Sequence, residues 1–334
     1  MPALEEITLG SIDEADRTFC LSFGGSLADL ERSISAVGQT SPLQVRLKDD
    51  ERYQLIAGFR RLRILRQLGR TRVSAAVHTL KELPNEKAAR LAVFDNLGVR
   101  EYNLVEKAKA VELLITVGRM SESEVVQKAL HPLGLQPHGQ ALERLRRLLV
   151  LEEEQLSTIA EEGWPARAVL PICGWRADAR RVFFEIVEAL RPGANKLTEL
   201  ATWLEEIGLR DDKPLTSVMV DLRLRTMSQD ASLEPPERLK VVRETVRRAR
   251  FPTLASLTRR ASELVAQLQL EPYVAVTPPD GFEGDGFEAR FNFSSPEELR
   301  RIGTLLEKAS GHPAAEELRR LLAEGLAEEE ESQP

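Results

Sequence analysis

Three arginines follow a glycine in the segment YQLIAGFRRLR, where a strand-like pattern changes to a helical one. Gly58 permits close approach to the backbone, and a helix that begins there offers unpaired N–H groups and a partial positive charge. The guanidinium groups of Arg60, Arg61 and Arg63 match phosphate oxygens in geometry. The segment therefore predicts a polyphosphate-binding site, although a solvent-exposed basic helix face would show the same pattern.

A second group of polar residues lies near the end of a helical pattern in FDNLGVREYN. The side chains of Asp95 and Asn96 supply oxygen atoms, which suit Mg²⁺ when a phosphate completes the coordination. Asp-Asn is also an ordinary pair at the end of a helix. The pair therefore indicates a metal site only in combination with the arginines.

Two helical patterns, 121–130 and 140–151, flank the Pro- and Gly-rich segment HPLGLQPHG. The first starts with the capping-box pattern of Ser121 and Glu124, and the second contains three arginines. Helix, turn and basic helix is the order of a helix-turn-helix DNA reader. The alternative is that the leucines pack this helix while its arginines face water. The candidate DNA contacts are Lys128, His138, Gln140, Arg144 and Arg147, of which the last three share one helix face.

The elements that would position these residues follow from periodicity. A helix over 27–37 ends at Gly38, and alternating runs in PLQVRLKDDERYQLIAG predict a β-hairpin. A helix from Phe59 to Gly69 and a strand over 72–77 come next, followed by helices over 85–97 and 104–117. The predicted fold class is α+β and predominantly helical, with an α/β N-terminal domain, an all-α middle domain and a small α+β C-terminal module.

The C-terminal half contains a second basic segment, 238–260. Strands are predicted near 273–277 and 287–293, and Ser295 with Pro296 marks the start of a helix. The predicted domains are 1–100, 101–210 and 211–327, and the acidic tail 328–334 is expected to be disordered.

Composition and charge narrow the function classes. The 334 residues include 42% hydrophobic and 30% charged side chains, which excludes a disordered or collagen-like chain. The net charge is −7, yet residues 51–150 hold 18 basic and 10 acidic residues, a local charge of +8. A basic block in an acidic chain indicates where a polyanion docks. The two cysteines show no metal or redox spacing, and neither a signal peptide nor a transmembrane segment is apparent, so a cytoplasmic protein is expected.

Several motifs in order resemble the N-terminal domain of ParB-type chromosome and plasmid partition proteins, whose fold is also that of sulfiredoxins. The resemblance covers residues 33–108, and the following helices are similar to the family's helix-turn-helix domain. The matching segments are SPLQVR at 41–46, GFRRLR at 58–63, Asp95-Asn96 in place of Glu-Asn, and NLVEKA at 103–108 in place of Asn-Pro-Ile-Glu-Glu-Ala.

The resemblance implies a DNA clamp that is gated by CTP and Mg²⁺ and acts in segregation or nucleoid organisation. It also implies a homodimer, double-stranded DNA as partner, a Walker-type partition ATPase as a second partner, and a nucleoid-associated location. The metal would be held by Asp95 and Asn96. Carried over by position, the nucleotide-binding residues are Ser41, Pro42, Leu43, Gly58, Arg60, Arg61, Arg63, Asn96 and Arg100.

Two departures bear on catalysis. Phe59 stands where the family commonly has Glu, and Val99 stands where it has Arg, with Arg100 displaced by one position, or about 100° around a helix. Any CTPase activity is therefore expected to be weak. Two alternatives stay open: a nucleotide-dependent phosphotransferase on the same fold, as in a free-serine kinase, and a degenerate DNA-binding scaffold without nucleotide chemistry. A sulfiredoxin is disfavoured because no cysteine lies between Cys20 and Cys173.

Overall fold

The structure is a computed structural model that describes residues 2–332 apart from 96, 98, 99, 283 and 285. The chain divides into two compact units. The first comprises Met1–Thr202 and Leu215–Leu239, and the second comprises Trp203–Pro214 and Lys240–Pro334. The predicted α/β and helix-turn-helix regions both lie in the first unit, and the predicted boundaries at 100 and 210 stay predictions.

The first unit begins with a five-stranded sheet in the order β1-β5-β3-β4-β2. Strands β1 and β5 are antiparallel, as are β3 and β4, whereas β5 with β3 and β4 with β2 are parallel. The pair β3 and β4 confirms the predicted hairpin. The strands are β1 (Ala3–Thr8), β2 (Ile12–Asp13), β3 (Leu43–Leu47), β4 (Tyr53–Ala57) and β5 (Arg72–His78).

Three helices accompany this sheet: α1 (Ala28–Val37), α2 (Phe59–Gln67) and α3 (Asn85–Phe94). Leu62, Ile64 and Leu65 of α2 are buried with β3, β4 and β5 residues in one core cluster, so the sheet fixes the position of α2. Gly38 ends α1 at a φ of 75°, which confirms the predicted helix end. Helix α3 ends three residues earlier than the predicted range.

A run of helices completes the first unit and leads into the second. Asn103 and Glu106 form a capping box on α4, and Ser121 and Glu124 form the predicted one on α5. The helices are α4 (Leu104–Thr116), α5 (Glu122–Lys128), α6 (Gly139–Leu148), α7 (Glu153–Glu162), α8 (Ala166–Cys173), α9 (Ala177–Leu190), α10 (Ala194–Arg210), α11 (Leu215–Asp221), α12 (Leu224–Ser228) and α13 (Pro235–Arg250).

The second unit contains α14 (Pro252–Gln267), β6 (Ala275–Thr277), β7 (Glu288–Arg290), α15 (Pro296–Ser310) and α16 (Pro313–Ser332). Strands β6 and β7 pair antiparallel, and the hydroxyl of Ser295 accepts from the backbone N–H of Glu298, so the predicted strands and helix start are confirmed. Leu257 and Leu264 of α14 share a core cluster with Leu321 of α16. Helix α16 extends into the tail 328–334 that was expected to be disordered. No helix among the described residues has both the length and the apolar character that a bilayer crossing requires.

Candidate functional site

A cavity of about 750 Å³ lies in the first unit where β4 passes into α2. It is bounded by α1, by the loop after α1, by the start of α2 and by the chain after α3. Seven of the sequence-predicted residues line it, namely Ser41, Pro42, Gly58, Arg60, Arg61, Asp95 and Arg100. The structure therefore brings Arg60 and Arg61, two of the three arginines predicted to bind phosphate, to one place with Asp95, one of the two predicted metal ligands.

Gly58 forms the start of α2 at a φ of 106° and a ψ of 19°, a conformation that residues with a side chain rarely adopt. A Cβ at this position would lie 2.7 Å from Cδ2 of Leu43, which is fully buried. Glycine is therefore required both by the turn and by the close packing beneath it. The open backbone at this turn lets a ligand approach the first N–H groups of α2.

Arg61 is held in place by backbone carbonyls. Its Nη1 donates to the carbonyl oxygens of Ser41 (3.0 Å) and Pro42 (2.8 Å), and its Nη2 lies 3.7 Å from Oδ2 of Asp95. Burial lowers the pKa of Arg61, while the Asp95 carboxylate opposes that shift. The guanidinium therefore connects the loop after α1 to the end of α3 across the cavity.

Arg60 has free hydrogen-bonding capacity. One of its terminal nitrogens donates to the carbonyl oxygen of Ser26 at 2.5 Å, but its buried Nε has no partner among the described residues. Burial lowers the pKa of Arg60, and the nearby charge of Arg100 lowers it further. A buried N–H without a partner is costly, so an anion bound in the cavity would relieve that cost.

The loop after α1 is fixed by one amide side chain. Nε2 of Gln39 donates to the carbonyl oxygens of Ser41 (3.0 Å) and Ser74 (2.7 Å), and Oε1 accepts from the backbone N–H of Ser74 at 2.9 Å. This anchoring to β5 holds Ser41 and Pro42 at the rim.

Two predicted nucleotide ligands lie elsewhere. Leu43 is fully buried in the core beneath Gly58 and does not line the cavity. Arg63 is exposed on another face of α2 and lines a separate cavity of about 440 Å³. The reason is the helix period: Arg63 follows Arg61 by two residues, or about 200°, so these two guanidinium groups point to different sides, whereas Arg60 lies between them and lines both cavities. Asn96 lies outside the described residues.

Arg100 faces the cavity, but a buried carboxylate holds it. Its Nη1 and Nη2 donate to Oε2 and Oε1 of Glu106 at 2.6 and 2.7 Å, and its guanidinium stacks 4.9 Å from the centre of the Tyr102 ring. Glu106 also accepts from the backbone N–H groups of Phe23 (3.2 Å) and Asn103 (3.0 Å). Glu106 was given no role from sequence. The Asn103-x-x-Glu106 spacing is a local signal for the capping box of α4, but the pairing of Glu106 with residue 23 spans 83 positions and leaves no such signal.

The described residues contain no group of three His, Cys, Asp or Glu side chains that could hold a metal ion by themselves. Asp95 is the predicted metal ligand that the structure describes, and it is partly exposed at the cavity. Mg²⁺ is commonly bound by one or two carboxylates together with substrate phosphates. The donor set therefore fits Mg²⁺ only when a polyphosphate is also present.

The candidate DNA-contact surface lies on α6. Gln140, Arg144 and Arg147 are exposed on one face, while Leu142 and Leu145 pack the opposite face into the core. Neither Arg144 nor Arg147 has a hydrogen bond or ion pair with any other described residue. This face presents two free cations to solvent.

The other residues predicted to contact DNA are differently engaged. Lys128 pairs with Glu124 at 3.0 Å on the surface of α5, an ion pair of little energetic weight. Nδ1 of His138 accepts from the backbone N–H of Ala141 at 3.1 Å and caps α6. Arg146, which was not predicted as a contact, pairs with Glu112 (3.1 Å) of α4 and with a second carboxylate on α5. Arg146 therefore ties α6 to α4 and α5, while Arg144 and Arg147 keep no partner among the described residues.

Comparison with known families matches residues 5–97 to the ParB N-terminal domain. The nucleoid occlusion protein of Bacillus mycoides (strain KBAB4) is 29% identical over 212 residues, which cover 62% of this chain and 69% of that protein. The nucleoid occlusion protein of Bacillus thuringiensis (strain Al Hakam) is 31% identical over 166 residues, which cover 48% of this chain and 53% of that protein.

Two solved structures of the C-terminally truncated chromosome-partitioning protein ParB from Caulobacter crescentus also match. The complex with the centromeric parS site has 18% identity and a TM-score of 0.33, and covers 59% of this chain and 98% of that chain. The complex with CTP-gamma-S has 22% identity and a TM-score of 0.25, and covers 52% of this chain and 94% of that chain. Residues 5–97 of this chain therefore match the ParB N-terminal domain, and the chain is similar over 62% of its length to nucleoid occlusion proteins.

Proposed function

We propose that this chain is a ParB-like DNA-binding protein in chromosome or plasmid segregation or nucleoid organisation, whose N-terminal cavity binds Mg-CTP. The observation that carries the proposal is the buried Nε of Arg60, which has no partner within the described part of the chain and lies in the residue two places after the turn at Gly58. The exposed arginines of α6 belong to the same unit. The similarity to nucleoid occlusion proteins supports the DNA-binding role. A protein with this role would be located at the nucleoid.

The cavity residues have separate tasks in this proposal. The first turn of α2, with Gly58 and Arg60, would bind the phosphates, and Arg61 would neutralise their charge while keeping the rim loop in place. Ser41 and Pro42 would contact the base. Mg²⁺, bound by Asp95 and the phosphate oxygens, would supply charge neutralisation to the polyphosphate.

Nucleotide is expected to act mainly as a ligand and to be hydrolysed slowly if at all. The side chain of Phe59 packs against the core cluster of the sheet, so the position that commonly holds a carboxylate in the family offers neither an acid nor a base. The guanidinium of Arg100 is already paired with Glu106. Slow hydrolysis would make nucleotide occupancy a long-lived signal.

DNA binding is assigned to α6. Arg144 and Arg147 would contact phosphates or base edges in the major groove, with Gln140 near the helix start. Lys128 and His138 would lie at the margins of that contact. We also expect a homodimer and a Walker-type partition ATPase as partners, and a division of the chain into functional parts near residues 100 and 210.

The nucleotide site is tested by calorimetry with CTP, ATP and GTP, each with and without Mg²⁺ and DNA. CTP-selective, Mg²⁺-dependent binding is expected in the native protein. R60A should weaken binding by about tenfold or more, since it removes a charge-assisted contact of about 1.5–3 kcal/mol. R63A is the matched control, because it removes the same charge from α2 at a residue that does not line the nucleotide cavity. Equal affinities of the two variants would contradict the assignment, and selectivity for ATP would favour the phosphotransferase alternative.

The DNA site is tested by the salt dependence of duplex binding. R144A/R147A should reduce the slope of log K against log salt by about 2, one for each lost phosphate contact. R176A/R181A is a matched control that removes two exposed arginines from α9 and the residue before it. The assignment fails if both double variants bind with the slope of the native protein.

A further inference from the structure

The basic segment 238–260 has no task in the proposed function, and the structure divides its arginines into two kinds. Arg250 is bound to the carboxylate of Glu206, and Arg210 donates to the carbonyl oxygens of Ala249 (2.9 Å) and Arg250 (3.1 Å) at the end of α13. These contacts fix the junction of α13 and α14 within the second unit. The remaining arginines at this junction face outward.

The outward-facing arginines line a cavity of about 740 Å³ between the end of α13, the start of α14 and the loop at 278–282. Arg247, Arg248 and Arg259 are all exposed. Glu244 pairs with Arg248 at 2.8 Å and lies 3.9 Å from Arg247, whereas Arg259 has no partner among the described residues. The described lining residues therefore hold three positive charges and one negative charge.

The start of α14 adds donors to this cavity. Phe251 is the N-cap residue and makes no side-chain hydrogen bond to the helix, and Pro252 occupies the first turn. The N–H groups of that turn therefore point outward with the positive end of a 16-residue helix. The exposed hydroxyl of Ser256 lies on the same lining. Guanidinium groups, backbone N–H groups and a hydroxyl are the donors that bind phosphate oxygens.

We infer that this cavity is a second contact for the DNA backbone, separate from α6. The arginines lie at an open, exposed rim on two helices, which suits successive phosphates of a strand that passes over the surface. The guanidinium groups of Arg60 and Arg61 are by contrast half-buried, as an enclosed nucleotide requires. The contact is independent of sequence, because the described lining offers donors to phosphates and no element that enters a groove.

The test is the salt dependence of duplex binding by full-length R247A/R259A, measured with a labelled duplex of mixed sequence between about 50 and 200 mM salt. The slope of log K against log salt should fall by about 2. The matched control is R300A/R319A, which removes two exposed arginines from α15 and α16 of the same unit. All four side chains are exposed, so circular dichroism should show an intact fold for both variants.

The same comparison in the R144A/R147A background separates this contact from the one proposed for α6. The loss of slope should persist there, since the two surfaces bind different phosphates. Equal slopes of R247A/R259A and R300A/R319A in both backgrounds would overturn the inference. It would also be overturned if an excess of CTP or inorganic phosphate abolished the difference, because the cavity would then be a site for a free phosphate ligand.

Discussion

Replacing Gly58 by alanine tests whether the turn at the start of α2 is as tightly packed as the structure indicates. Gly69, at the other end of α2, is the matched control, because it also has a positive φ (67°) but a Cβ there meets nothing within 4 Å. Both substitutions carry the backbone cost of a left-handed alanine, about 1–2 kcal/mol. Only G58A adds a carbon at 2.7 Å from the buried Leu43, and such overpacking costs roughly 1–3 kcal/mol more.

We therefore expect G69A to lower the free energy of unfolding by about 1 kcal/mol and G58A by about 3 kcal/mol, measured by urea denaturation. G58A should also weaken CTP binding, since relief of the overlap displaces the first turn of α2, whereas G69A should leave binding unchanged. In the double variant G58A/L43A the two costs should be less than additive, because the second substitution removes the overlapping atom. Equal costs for G58A and G69A would refute this account of the turn.

Further predictions concern ionisable groups. E106A should lower the free energy of unfolding, measured by urea denaturation, by roughly 3 kcal/mol, because the substitution leaves Arg100 and two backbone N–H groups without their acceptor. A loss below about 1 kcal/mol would contradict this expectation. Burial lowers the pKa of His78 below its usual value of 6.5, so protonation of this side chain favours the unfolded state and the protein loses stability as the pH falls below 6.5. The urea midpoint should therefore drop less between pH 8 and pH 5.5 in H78Q than in the native protein. Burial raises the pKa of the Cys173 thiol to about 11, so iodoacetamide at pH 8 should alkylate it roughly a hundredfold more slowly than the partly exposed Cys20; comparable rates in C20S and C173S would contradict the burial.

Local patterns were sufficient to predict the parts of the fold that surround the cavity. The hairpin of β3 and β4 and the helix after Gly58 follow from alternation and from a change of period, which are properties of adjacent residues. Strands β1 and β2 were missed. Five of the six residues of β1 are exposed and β2 has only two residues, so neither shows the alternation that indicates a strand.

The site was predicted less completely, because side-chain direction depends on the tertiary structure. Motif position alone placed Leu43 and Arg63 among the ligands, whereas the sheet turns Leu43 into the core and the helix period turns Arg63 away from the cavity. The role of Glu106 depends on segments that meet only after folding. The arginines of 238–260 likewise share one pattern, and only their contacts distinguish Arg250, which is bound to Glu206, from Arg259, which has no partner among the described residues.

The position of Glu106 limits how the chain can be divided into fragments. This carboxylate belongs to the first turn of α4, yet it accepts from the backbone of Phe23 and neutralises Arg100. The side chain of Asn103 also donates to the carbonyl oxygen of Phe23, at 2.7 Å. A fragment that stopped at residue 100 would therefore contain an arginine without its counterion and a loop without its anchor. The smallest fragment expected to keep the cavity intact includes all of α4.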